Sequence, residues 1–131
     1  MTLSLHSEIQ SPDRAVLRVH GRLDAMTFGE FDEAVLALLP RLADGGTVVV
    51  DLAELEYVSS AGLRSFAKIR KSMRVRGGHT LLLNPQPQVR KVFDIVKAVP
   101  VNEVFASTQE LDAYLDRMQR QITEGNSDAD A

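Results

Sequence analysis

Residues 47–52 read "TVVVDL", and this run constrains the fold more than any other stretch of the chain. A strand with one face in water alternates apolar and polar side chains; consecutive valines without alternation read as a strand covered on both faces, the situation of a strand inside a parallel sheet. Parallel strands cannot be joined by a tight hairpin and need crossover segments, usually helices, packed back on the sheet with right-handed sense.

The flanking patterns supply such segments. Leu3 and Leu5 alternate with Thr2, Ser4 and His6 as in a half-buried strand, "SPDR" offers a tight reversal, and Ala15 to His20 returns antiparallel. Thr27 and Glu30 fit the S/T-x-x-E capping box, followed by a helical stripe of Phe28, Phe31, Val35 and Leu38 that Pro40 ends or kinks. Beyond the valine run, Leu63, Phe66, Ala67, Ile69 and Met73 share one side of a second helix, with Arg64, Lys68, Lys71 and Arg74 largely on the other and Gly77 suited to a left-handed cap.

Thr80 to Leu83 predicts a further strand, and Val89, Val92, Phe93 and Val96 a third helix entered through Pro85 and Pro87. A weak strand is expected around Val104 and Phe105, then a second capping box, Ser107 with Glu110, opening a last helix with Leu111, Leu115, Met118 and Ile122 on its stripe. The expected order is β-β-α-β-α-β-α-(β)-α: an α/β fold, a single domain, with a mixed four- to five-stranded sheet and about four helices. Its domain spans residues 1–122; the polar segment 123–131 is expected to be a disordered tail.

Composition removes several function classes. The 131 residues include no Cys, which excludes a disulfide framework and a thiolate metal site. A net charge of −3 gives no overall attraction for phosphate backbones, so nucleic acid is not an expected partner. The first residues lack a basic start and an apolar core, and no run approaches the ~20 residues of a membrane span. A cytoplasmic location without membrane contact is expected.

Two serines, Ser59 and Ser60, stand where the valine strand hands over to the second helix. Either could cap the helix by accepting a first-turn amide, a role worth about 1 kcal/mol. The same place also suits a modified hydroxyl, because free amides and the positive end of the helix dipole favour an added phosphate. A nucleophilic role fits poorly: Val58 stands where the first glycine of G-x-S-x-G belongs, and His6, His20 and His79 lie in edge strands or after a glycine pair.

Asp24, Asp51 and Glu54 fall near strand ends without the context of a metal site, and turn formation is their simpler role. Lys68, Arg70, Lys71, Arg74 and Arg76 read as a solvated helix face, since no aromatics interleave them for base stacking. No phosphate-binding glycine pattern is present, so neither a cofactor nor a metal is expected.

Taken together, "GRLDAMTFGEF", "VVVDLAELEYVSSAGL" and "NPQPQVRKVFDIV" resemble the STAS family, which comprises bacterial anti-sigma factor antagonists and domains of sulfate transporters; the resemblance covers residues 3–118. In antagonists of the family the motif reads Asp-Ser-Ser/Thr-Gly-Leu and the first hydroxyl residue is the phosphoacceptor. Aligned through Gly62 and Leu63, that residue is Ser60; Ala61 replaces the second hydroxyl and Ser59 replaces the acid. The family's Gly-x-Leu-Asp corresponds to Gly21, Leu23 and Asp24, and the family's loop glycine after the third helix is replaced by "KAVP".

The resemblance implies a non-enzymatic switch. Unphosphorylated, the chain would bind an anti-sigma factor that is also a GHKL-type serine kinase, through Asp24, Ser59, Ala61, Gly62, Leu63 and Arg64, as a monomer or weak dimer. Phosphorylation of Ser60 would end binding and a PP2C-type phosphatase would reset it. Ser59 would keep the capping role. The same fold also serves as an accessory subunit of lipid-transporting ABC complexes and in stressosome scaffolds, which are the alternative readings.

Overall fold

The computed structural model describes residues 3–98 and 104–129. β1 (Leu3–Ser11) and β2 (Arg14–Leu23) form an antiparallel hairpin running from the Leu3–Gly21 pair to the Ser11–Arg14 pair. The Ser11 hydroxyl donates to Asp13 across the expected Pro12–Asp13 turn, at 2.7 Å. After α1 (Phe28–Leu38) and a short 3-10 turn (Leu39–Arg41) come β3 (Thr47–Val58), α2 (Ser60–Val75), β4 (His79–Leu83), α3 (Pro87–Ala98) and α4 (Thr108–Ala129).

The sheet has four strands in the order β1-β2-β3-β4, and β3 is parallel to both neighbours. The expected crossovers are therefore present, and Pro40 falls inside the 3-10 turn that ends α1. Gly77, with φ +73°, provides the left-handed exit from α2. Among the described residues the sheet has four strands and Val104 and Phe105 lie outside it; Phe105 packs its ring on Tyr114 of α4, with centroids 5.2 Å apart.

Two expectations change in this frame. β3 is twice the length of the valine run, because register shifts between Arg18 and His20 and between Gly21 and Arg22 let pairing with β2 continue to Val58. The valines are buried on both faces as expected, Val49 at 1% exposure, but only one face belongs to the main core. Val48, Val50 and Leu52 point into the main cluster with Leu17, Leu23, Phe31, Ile69 and Met73. Val49 points to the opposite face, paired with the buried Val16 and with Leu81, which is 45% exposed. Arg18 and His20 are exposed on that face, which holds an open hollow of about 310 Å³.

On the core side, Phe31, Phe66 and Phe93 tie three helices together edge to face, at 5.4 and 5.5 Å between centroids. The backbone of α4 runs through Ala129, so residues 123–129 are helical where a tail was expected, and no proline follows Leu115 to interrupt the helix.

Candidate functional site at the end of β3

β3 ends at Val58 and α2 begins at Ser60, leaving Ser59 in extended conformation as the N-cap residue. The Ser59 N–H donates to Leu23 O at the end of β2 (3.0 Å), so the junction sits at the C-terminal edge of the parallel strands. Ligand and modification sites collect at this edge because helix N-termini converge there.

Gly62 makes the close approach possible. A Cβ at this position would lie 2.7 Å from Val58 Cγ2 and 2.8 Å from Leu23 O. Only a residue without a side chain lets the first turn of α2 rest on both strand ends.

Ser59 does not cap α2 with its side chain. The Oγ atoms of Ser59 and Ser60 are both buried and have no hydrogen-bonding partner among the described residues. A hydroxyl open to modification would be exposed, yet Ser60 is 4% exposed. One of the first-turn amides without an intrahelical partner is satisfied from a distance, as the Ser60 N–H donates to the Asp112 carboxylate of α4 at 2.8 Å.

Gln119, two turns further along α4 and 2% exposed, closes on the last residue of β3. Its Oε1 accepts from Val58 N–H (3.1 Å) and its Nε2 donates to Val58 O (2.7 Å). Asp112, Leu115 and Gln119 thus share one stripe, with fully buried Leu115 anchored in the core. Reading only the apolar stripe of this helix misses Asp112 and Gln119. Their signal is spacing: two polar residues at i−3 and i+4 from Leu115, on the face that must be buried.

Asp24 performs a turn role. Its carboxylate accepts from Met26 N–H (3.0 Å) and the Thr27 hydroxyl (3.2 Å) and lies 3.5 Å from the Arg22 guanidinium. Thr27 does not form the expected capping box; its hydroxyl binds back to Arg22 O at 2.8 Å. Ser107 and Glu110 come nearer to one, with Ser107 Oγ accepting from Glu110 N–H and the Glu110 carboxylate from Ala106 N–H. Asp51 and Glu54, expected near a strand end, lie inside β3, and the Asp51 carboxylate accepts from Ala53 N–H (3.1 Å) where pairing with β2 shifts register.

Of the six residues expected to face a partner, Ser59, Ala61 and Gly62 are buried, Leu63 and Asp24 are partly buried, and Arg64 is exposed. The loop after Asp24 adds Met26, 87% exposed, and the start of α1 adds Phe28, 38% exposed. Beside the junction the Arg22 guanidinium stacks 3.9 Å over the Tyr57 ring. Burial, and next the Asp116 carboxylate, push the Tyr57 phenol above its ordinary value, with Arg22 opposing. Arg76 departs from the solvated basic face, binding Leu39 O at 2.8 Å, Leu42 O and the Asp44 carboxylate at 3.1 Å.

The family model of the STAS domain matches residues 6–111. The anti-sigma-B factor antagonist of Listeria monocytogenes is 26% identical over 104 residues, covering 79% of this chain and 90% of that protein. BtrV of Bordetella bronchiseptica is 46% identical over 48 residues, an alignment spanning 37% of this chain and only 41% of BtrV. Among solved structures, the anti-sigma factor antagonist SpoIIAA in its unphosphorylated form superposes with a TM-score of 0.58 at 22% identity, over 70% of this chain and 83% of that one. The phosphorylated form of SpoIIAA, described as a Bacillus cell fate determinant, gives the same TM-score. The mixed four-stranded sheet, its helices and the matched model agree: this chain belongs to the STAS domain family.

Proposed function

We propose that this chain is an anti-sigma factor antagonist, a binding module switched by phosphorylation of Ser60. In its unphosphorylated form it engages an anti-sigma factor that is also a GHKL-type serine kinase, and a sigma factor is released. The observation that carries the reading is the place of Ser60, first residue of a 16-residue helix at the C-terminal edge of a parallel sheet. An anion there meets first-turn amides and the positive end of the helix dipole. The named role of the Listeria relative supports the same conclusion.

The chain is substrate and partner here, and the catalyst is the kinase. Ser60 Oγ forms a bond to the γ-phosphorus of ATP as the bond to the β,γ-bridging oxygen breaks, ADP leaves, and the hydroxyl proton passes to a base of the kinase. The phosphoryl group adds about −1.5 to −2 charges, which oppose a packed protein interface. Exposed Met26, Phe28 and Arg64 supply the contact surface around the acceptor. A PP2C-type phosphatase resets the switch when water displaces the serine oxygen from phosphorus, restoring the hydroxyl and releasing inorganic phosphate.

The test is intact-mass spectrometry after incubation with an anti-sigma factor kinase and ATP, with co-elution of the two proteins measured before ATP is added. Addition of one phosphoryl group, absent in Ser60→Ala, is expected. No addition, or addition that persists in Ser60→Ala, overturns the assignment.

A further inference from the structure

The structure assigns α4 a second role: it is a latch that closes over Ser60, so the phosphoacceptor becomes available only when Asp112 and Gln119 release the end of β3. The inference rests on Ser60 being the acceptor and adds how that site is regulated.

Three observations converge. Ser60 Oγ is buried and unpartnered, and so is Ser59 Oγ beside it. Buried hydroxyls are almost always hydrogen-bonded, so this junction is held closed at a cost that the rest of α4 offsets. Phosphoryl transfer needs the nucleophile about 3–3.5 Å from phosphorus, a separation no kinase group can reach while Oγ is covered.

Asp112 occupies the anion position itself, its carboxylate bonded to the Ser60 N–H at 2.8 Å. A phosphate on Ser60 would compete with that carboxylate for the same amide, while the two negative groups repel. Asp116, one turn further along α4, is the main charged group acting on Tyr57 and adds to the negative surroundings. Once modified, Ser60 is therefore incompatible with the closed helix, and the signal passed on is displacement of α4 together with new charge.

The grip is polar at both ends and apolar between. Gln119 holds both backbone groups of Val58, Asp112 holds Ser60, and Leu115 packs in the core between them. Polar contacts of this kind hold one geometry and are lost together when the helix shifts, which makes the element bistable instead of gradually deformable.

The absence of cysteine gives a direct probe, since Ser60→Cys places the sole thiol of the chain at the site. Its reaction with Ellman's reagent is compared in the folded chain, in denaturant, and with Asp112→Ala or Asp112→Asn added. Removing the carboxylate also acidifies the thiol, and the Asn variant controls for this because it removes the charge but keeps an acceptor for the Ser60 amide.

Expected is a thiol protected at least about 100-fold relative to the denatured chain, accelerated roughly tenfold by Asp112→Ala and much less by Asp112→Asn, as loss of a charge-assisted bond implies. A thiol that reacts at the denatured rate in the otherwise unaltered chain overturns the latch. Equal rates with and without the Asp112 substitutions, or equal acceleration by both, overturn it too. The measurement needs no kinase, so it separates failure of the latch from failure of the phosphorylation reading, which the Ser60→Ala mass experiment reports.

Discussion

Gln119 of α4 closes both ends of its side-chain amide on the backbone of Val58, the last residue of β3, and does so while 2% exposed. The arrangement resembles one added rung of sheet, supplied by a side chain across 61 positions of sequence. It explains how β3 can end inside the protein without leaving its final amide and carbonyl unpaired.

Gln119→Leu keeps the volume and removes both bonds. Each buried backbone group left without a partner costs about 1–3 kcal/mol, so with two such groups the variant is expected to lose about 2–6 kcal/mol of stability. Urea denaturation should show a lower midpoint at nearly constant slope. A midpoint unchanged from the parent would mean that water replaces the amide at no cost.

Ser59→Ala discriminates between a capping serine and the one observed. A true N-cap serine loses about 1 kcal/mol on conversion to alanine. Ser59 Oγ has no partner among the described residues, so the substitution removes a buried unpaired hydroxyl and is expected to be neutral or stabilising. Thermal denaturation beside the parent chain checks the sign.

Gly62→Ala and Gly29→Ala form a pair with opposite expectations. Both glycines are helical, and alanine is favoured in a helix by about 1 kcal/mol. At Gly29 an added Cβ meets nothing within 4 Å, so the propensity gain should appear as higher stability. At Gly62 the Cβ would press on Leu23 O at 2.8 Å; backbone must move, and a net loss of about 1–3 kcal/mol is expected. Equal effects at the two sites would sink this account of the motif glycine.

The parts of the fold legible in the sequence were those written in local pattern. The alternation of Leu3 and Leu5, the Val89–Val96 stripe and the Gly77 cap each depend on residues a few positions apart, and each lies where expected. The site was half legible. Its place followed from the strand-to-helix handover and from the resemblance around Gly62, but its state depends on partners distant in sequence. Asp112 reaches Ser60 across 52 positions and Gln119 reaches Val58 across 61, and no periodicity in "YVSSAGL" encodes either contact. Arg76 was misread for the same reason, because its acceptors Leu39 and Leu42 belong to a turn more than thirty residues earlier. The extension of β3 escaped notice because bulges reset the alternation that identifies a strand.

Tyr57 gives the junction a pH dependence whose sign can be worked out. The phenol is raised above 10.0 by burial first and by Asp116 next, against the lowering effect of Arg22. The raised value means that the folded state holds its proton more tightly than the unfolded chain, so the associated stability is complete below the unfolded value near 10 and is lost as pH rises through the folded one. Stability should therefore be insensitive to this group at neutral pH and fall in the alkaline range above pH ~10. Tyr57→Phe should flatten that alkaline fall while leaving the neutral-pH midpoint within about 1 kcal/mol of the parent, because the Arg22 stacking needs only the ring. Denaturant midpoints measured from pH 8 to 11, for parent and variant, decide the matter; parallel curves would place the alkaline sensitivity in some other group.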